Sequence, residues 1–107
     1  MAPPRSVRKE LEQKLAVISG LDRRSSRWGR EHAYFVGDRE IAHFHGEERM
    51  DVRLTKELIR ERKAEHAFDH RVRTRGPSAE WAAVRITESR DIALALSLVE
   101  DAMRANA

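Results

Sequence analysis

The chain has 107 residues, of which 40% are hydrophobic and 36% charged, with a formal net charge of +3 at pH 7. A chain of this size buries roughly 65% of its unfolded surface, enough for one core without staples, and this composition excludes a disordered chain. Cysteine is absent, which excludes disulfides, thiolate metal ligands and thiol catalysis, and fits a reducing, cytoplasmic setting.

No apolar run approaches the ~20 residues that span a bilayer, and the first ten residues carry no apolar signal core, so no membrane association is expected. Seventeen of the 21 basic residues are arginine, the side chain best suited to bidentate anion contacts. They are interspersed with 18 acidic residues, so charge alone makes nucleic acid the weaker of the partner classes.

In chain order, residues 1–4 are expected to be disordered. Ser6 is placed to cap a first helix, with Val7, Leu11, Leu15 and Ile18 at helical spacing and Gly20 closing it. From Asp22 to Leu54 the apolar pattern switches to period two and predicts three or four strands. Thr55 caps a short helix over 55–63 that carries Leu58 and Ile59. Residues 64–79 read as an irregular basic stretch closing with Gly76-Pro77-Ser78. Residues 80–86 read as a strand. Thr87 then caps a final helix with Ile92, Ala95, Leu96, Val99 and Met103 on one stripe. The order α-β-β-β-β-α-β-α predicts an α+β fold over 1–107, a two-layer sandwich with a mainly antiparallel sheet and three helices on one face.

Hairpin register assigns the faces. Val36-Gly37-Asp38-Arg39 reads as a two-residue turn. Counting back from it sets Ala33 opposite Ala42 and His32 opposite His43. For the next hairpin, a three-residue loop Gly46-Glu47-Glu48 sets Phe44 opposite Met50, His43 opposite Asp51 and Ala42 opposite Val52. Loops of two or four residues would turn Asp51 onto the apolar face. The expected core face carries Ala33, Phe35, Ala42, Phe44, Met50, Val52 and Leu54, joined by Ala82, Val84 and Ile86. The expected open face carries His32, Tyr34, Val36, Ile41, His43, His45, Asp51, Arg53, Trp81 and Arg85. Imidazole, aromatic and guanidinium groups gathered there, rather than Lys, Glu, Thr and Ser, mark it as the candidate binding surface.

His43-x-His45 puts two imidazoles on one side of a strand, with Asp51 across from His43. Two histidines and a carboxylate are ligand types for zinc or non-haem iron. They serve equally as a hydrogen bond that orients a sheet face, the plainest reading, or as a metal-free polar site, and no metal is assigned. Tyr34 and Trp81 could stack on a planar ligand with Arg53 and Arg85 supplying charge, or Trp81 could belong to a satellite core under residues 64–79. His66 and His70 are four apart but lack the glutamate of a metalloprotease helix, and read as surface residues. The runs Arg71-Val-Arg-Thr-Arg75 and Arg23-Arg24 with Arg27 and Arg30 read as solvated charge before phosphate contacts. No nucleotide-binding glycine pattern, nucleophile elbow or acid/base carboxylate pair is present.

The string Arg39-Glu-Ile-Ala-His-Phe-His-Gly46, followed by Met50-Asp-Val-Arg-Leu-Thr55, resembles the small bacterial luciferase-domain proteins. That family tends to show an Arg-Glu-(apolar)-x-His-x-His strand, an Asp-(apolar) strand and a short helix. A Ser-x-x-Trp strand and an Asp-(apolar)-x-x-Ala helix follow. Ser78-Ala-Glu-Trp81-Ala-Ala-Val-Arg85 and Asp91-Ile-Ala-Leu-Ala95 look like the last two, so the resemblance spans roughly residues 28–104. It matches His43, His45, Asp51, Trp81 and Arg85, departs from the pattern over 66–77, and carries over no catalytic residue. The resulting expectation is a ligand-binding or accessory domain using the open face through His43, His45, Asp51, Tyr34, Trp81, Arg85 and Arg53. The resemblance implies an oxidoreductase or oxygenase activity as one alternative, and nucleic-acid binding is the other. A small-molecule ligand is the expected partner, with a homodimer as a further option. No cofactor is assigned.

Overall fold

The computed structural model describes residues 6–26, 32–76 and 78–107. The expectations for residues 1–4, Arg27, Arg30 and Pro77 lie outside them. Ser6 caps α1 (Val7–Leu15) by accepting from the Lys9 N–H. The helix ends at Leu15, earlier than expected, and Gly20 instead holds a positive φ in the following turn. Four strands follow: β1 (Asp22–Ser25), β2 (His32–Val36), β3 (Arg39–Phe44) and β4 (Arg49–Arg53). Thr55 then caps α2 (Lys56–Ala64) through the Leu58 N–H. The stretch expected to be irregular holds a short strand, β5 (Val72–Thr74), before β6 (Trp81–Arg85) and α3 (Asp91–Ala105).

The six strands form one open antiparallel sheet in the order β1-β2-β3-β4-β6-β5. Leu11 and Leu15 of α1, Ile59 of α2, and Ile92, Ala95, Leu98, Val99 and Ala102 of α3 join the sheet in one core. From the sheet come Tyr34, Ile41, Ala42, Met50, Val52, Ala82 and Val84, extended by Leu54 and Ile86 just beyond the strands. The α3 stripe follows helical spacing, as its sequence predicts.

Thr87 does not cap α3. The helix starts four residues later at Asp91, which has no solvent exposure. Its carboxylate reaches back to accept from the Thr87 and Glu88 N–H groups, each at 3.0 Å.

Two hairpins carry the face assignments, and one departs from the sequence reading. At β3–β4 the register is the expected one: Ala42 opposite Val52, His43 opposite Asp51 and Phe44 opposite Met50. At β2–β3 the turn pairs Val36 with Arg39, with Gly37 alone at positive φ (59°). The ladder then slips, because Phe35 faces Glu40 but Tyr34 faces Ala42. Ile41 is the extra residue of a β-bulge, and both Ile41 and Ala42 enter the core.

A one-residue slip turns every later side chain to the other face. Tyr34 and Val36 therefore pack on the helix side, not the open side, with His32 in phase with them at the strand's exposed start. Ala33 and Phe35 are buried as expected but lie on the open side of the sheet, where the Arg24 guanidinium sits 4.5 Å from the Phe35 ring centre. Phe44 keeps its predicted face but is half-buried, edge-on to Tyr34 (6.1 Å between centroids) and under the Arg8 guanidinium at 4.6 Å.

Candidate functional site on the open sheet face

Strand pairing arranges the open face in rungs running across the strands. One rung is Ala33, His43, Asp51, Ala83 and Arg73, across β2, β3, β4, β6 and β5. A second pairs Arg53 with Trp81. The third starts at His45, whose N–H donates to the Arg49 carbonyl at 2.8 Å. It continues through Arg49 paired with Arg85 to Arg71, whose carbonyl accepts from the Arg85 N–H at 2.9 Å. With strands about 4.8 Å apart, these side chains are immediate neighbours.

The bulge gives the face its polar centre. It turns Glu40 to the open side, where the residue is 8% exposed. The Ser26 hydroxyl donates to Glu40 Oε1 at 2.8 Å, and Glu40 Oε2 lies 3.2 Å from His43 Nδ1. On the other side of the ring, His43 Nε2 lies 3.1 Å from Asp51 Oδ2, and Asp51 Oδ1 lies 3.2 Å from Arg49 Nε. Both ring nitrogens of His43 are thus engaged by carboxylates, which fixes the imidazole plane in place. Burial pushes the Asp51 carboxyl up, but the His43 hydrogen bond and the Arg49 charge outweigh it, and the group sits below its ordinary value of 3.8.

Trp81 leans over this centre, its ring 5.1 Å from the His43 ring and tilted by 44°. Ala83 contributes only a methyl group between Trp81 and Arg85 on its own strand and between Asp51 and Arg73 across it. The result is a depression of about 550 Å³ lined by His43, His45, Asp51 and Trp81, with Arg49, Arg73 and Arg75 around it. A second hollow, of about 640 Å³, adjoins it through Arg49, Arg73, Arg75 and Ala83 and runs on to Arg71 and Arg85.

Four of the sequence-selected residues, His43, His45, Asp51 and Trp81, therefore converge. Arg85 lines the adjoining hollow. Arg53 borders Trp81 but turns to Glu80 at 3.4 Å. Tyr34 does not belong to the face: it is 3% exposed within the core, where burial raises its pKa above the usual 10.0. His66 and His70 are exposed and neither lines the His43 depression, although His70 lines the adjoining hollow.

Sequence reasoning missed Glu40, Arg49 and Ala83, and it read Arg73 and Arg75 as solvated charge before phosphate contacts. The signal for Glu40 was present, since the apolar pair Ile41-Ala42 between two polar residues breaks strict alternation and marks a bulge. Among the described residues no group of three or more His, Asp or Glu side chains is arranged to hold a metal ion. In the same residues no helix is long and apolar enough to cross a membrane.

No curated protein and no solved structure matches the chain. The family model of the Luciferase domain does, over residues 38–102. The match runs from the β2–β3 turn into α3 and includes the converging residues His43, His45, Asp51 and Trp81. On that match, the chain belongs to the luciferase-domain family.

Proposed function

We propose that this protein is a ligand-binding member of its family, and that the depression on its open sheet face takes a small molecule with a planar ring. The observation that carries this reading is the grouping of Trp81, His43 and Asp51 around the bare methyl of Ala83. A ring laid on that methyl would have the indole as an apolar wall and His45 and Asp51 oxygen or nitrogen atoms at its edge. Pockets that bind small molecules combine an apolar surface with a few fixed polar groups in this way. About 550 Å³ lies within the range of small-ligand sites.

Binding is favoured over catalysis because His43, the one buried imidazole, has both nitrogens committed to Glu40 and Asp51. It acts as a positioning residue for Asp51, with no nitrogen left over for a substrate proton. Nucleic acid is disfavoured because Tyr34 is in the core. Among the described residues Trp81 alone would then offer an accessible stacking surface on this face, whereas single-strand binders use several aromatics in succession.

The test is a titration with 1-naphthol followed in ¹⁵N–¹H NMR spectra, on a Trp28→Phe background that leaves Trp81 as the single indole. The expected result is a shift of the Trp81 indole N–H and of the backbone amides of residues 43–51 and 81–85, lost in Trp81→Ala. Shifts absent from these residues, or unchanged in Trp81→Ala, would remove the reading.

A further inference from the structure

The hollow beside the Trp81 depression is lined by five arginines, Arg49, Arg71, Arg73, Arg75 and Arg85, and by His70, against a single carboxylate, Glu48. Arg49 and Arg85 are directly opposed on β4 and β6, and like charges in that position destabilise a sheet. Their compensation is incomplete. Arg49 Nε is 3.2 Å from Asp51 and Arg85 Nε is 3.8 Å from Asp91, yet both Nε groups are buried and make no hydrogen bond. A buried donor without a hydrogen bond is unfavourable, and both side chains line one hollow. The guanidinium ends remain open to it, with the two side chains 42% and 38% exposed.

Arg73 and Arg75 add two more cations, exposed and with no carboxylate partner among the described residues. Arg71, by contrast, is already held by Asp69 at 2.8 Å and Asp91 at 3.2 Å. It serves to fix the β5 end rather than to bind.

We propose that Arg49, Arg73, Arg75 and Arg85 form an anion subsite, contiguous with the Trp81 depression, that takes the phosphate of a phosphomonoester whose ring lies over Ala83. The ring half of this assignment rests on the function proposed above; the anion half rests on the arginines alone. The two hollows share Arg49, Arg73, Arg75 and Ala83, so one ligand can occupy both. A phosphate dianion with three terminal oxygens suits several guanidinium groups converging from different strands, where a carboxylate offers two oxygens and one charge.

Four probes separate the parts: 1-naphthol, 1-naphthoate, 1-naphthyl phosphate and inorganic phosphate, each titrated into the ¹⁵N-labelled chain at low salt. The arginine Nε–H resonances of Arg49 and Arg85 serve as reporters alongside the Trp81 indole. The expected result is that 1-naphthyl phosphate binds at least about tenfold tighter than 1-naphthol, the equivalent of one charge-assisted contact, with 1-naphthoate between them. Inorganic phosphate should move the Arg49 and Arg85 reporters and leave the indole in place. Arg73→Gln/Arg75→Gln, which removes no ion pair among the described residues, should cut the ratio of 1-naphthyl phosphate affinity to 1-naphthol affinity, both measured in that variant, severalfold.

Equal affinity for 1-naphthol and 1-naphthyl phosphate, or an undiminished advantage in the double variant, overturns the subsite even if the ring site stands. Phosphate shifts at Arg49 and Arg85 without any 1-naphthol binding would support the anion subsite and remove the ring reading. Tighter binding of an oligothymidylate than of 1-naphthyl phosphate would overturn the small-ligand assignment in favour of a nucleic-acid backbone.

Discussion

Asp91→Asn tests how the sheet is tied to α3 at the arginine-rich end. The Asp91 carboxylate has no solvent exposure. Its Oδ2 accepts from the Thr87 and Glu88 N–H groups at 3.0 Å, and its Oδ1 accepts from Arg71 Nη1 at 3.2 Å. An asparagine has one acceptor oxygen, so it can serve the two backbone donors or Arg71, but not both. Whichever set it abandons then faces a buried NH₂ group. Losing one charge-assisted bond and opposing two donors should cost about 3 kcal/mol. For a domain of this size that lowers the melting temperature by roughly 10–20 °C.

The effect also carries a pH signature. Burial alone would raise the Asp91 pKa, but the Glu88 N–H bond, the Arg71 hydrogen bond, the Thr87 N–H bond and the Arg85 charge bring it below 3.8. A carboxylate whose folded pKa is depressed contributes stability above its unfolded pKa and loses it as pH falls through the folded value. Urea melts of wild type and Asp91→Asn should therefore differ by the full amount at pH 7. The gap should narrow below pH 3.8 as the wild-type carboxylate protonates. Equal stabilities at pH 7, or a gap as wide at pH 2 as at pH 7, would refute the argument.

Three further outcomes follow from the same geometry. Tyr34 is the chain's single tyrosine, so absorbance at 295 nm reports it alone; its phenol should ionise above pH 10.0 in the folded protein, and a midpoint at or below 10 would return it to the open face. Met50→Ala, at a site with no exposure, should destabilise by about 2–5 kcal/mol. Half-buried Phe44→Ala should lose less than a full core truncation, and exposed His45→Ala under about 1 kcal/mol, all read by urea melts. Ala83→Leu fills the floor of the depression from a half-buried position on the open face; it should weaken 1-naphthyl phosphate binding by tenfold or more, by steric exclusion, while changing stability by under about 1 kcal/mol.

The α+β class, the helix caps at Ser6 and Thr55, and the β3–β4 register were all legible in the sequence. In each case one local rule had a single solution: only a three-residue loop at 46–48 puts Phe44, Met50 and Val52 on one face. Trp81 and His43 come together because β6 lies beside β4, a strand order that the sequence does not fix.

The face of β2 was misread because register counts outward from the turn, and the bulge at Ile41 inserts a residue that the count does not include. That one insertion sends Tyr34 inward and brings Glu40 to His43. Strand β5 escaped notice because its three residues bury Val72 alone, too short for alternation to show. The start of α3 was misplaced because Thr87 has the chemistry of a cap, while the bonds that organise the turn come from Asp91, four residues on. The arginine subsite is assembled from three strands distant in sequence, and only their pairing order reveals that its members are neighbours.

The central claim is that a ring sits on the Ala83 methyl against Trp81. Intermolecular nuclear Overhauser effects measured on the complex with 1-naphthyl phosphate test it most directly, because they report proximity rather than a propagated shift. The account predicts cross-peaks from the naphthyl protons to the Ala83 methyl and to the Trp81 ring, and none to Tyr34 or Leu11 on the helix side. Cross-peaks to the helix-side residues, or binding with no cross-peak to Ala83, would contradict it.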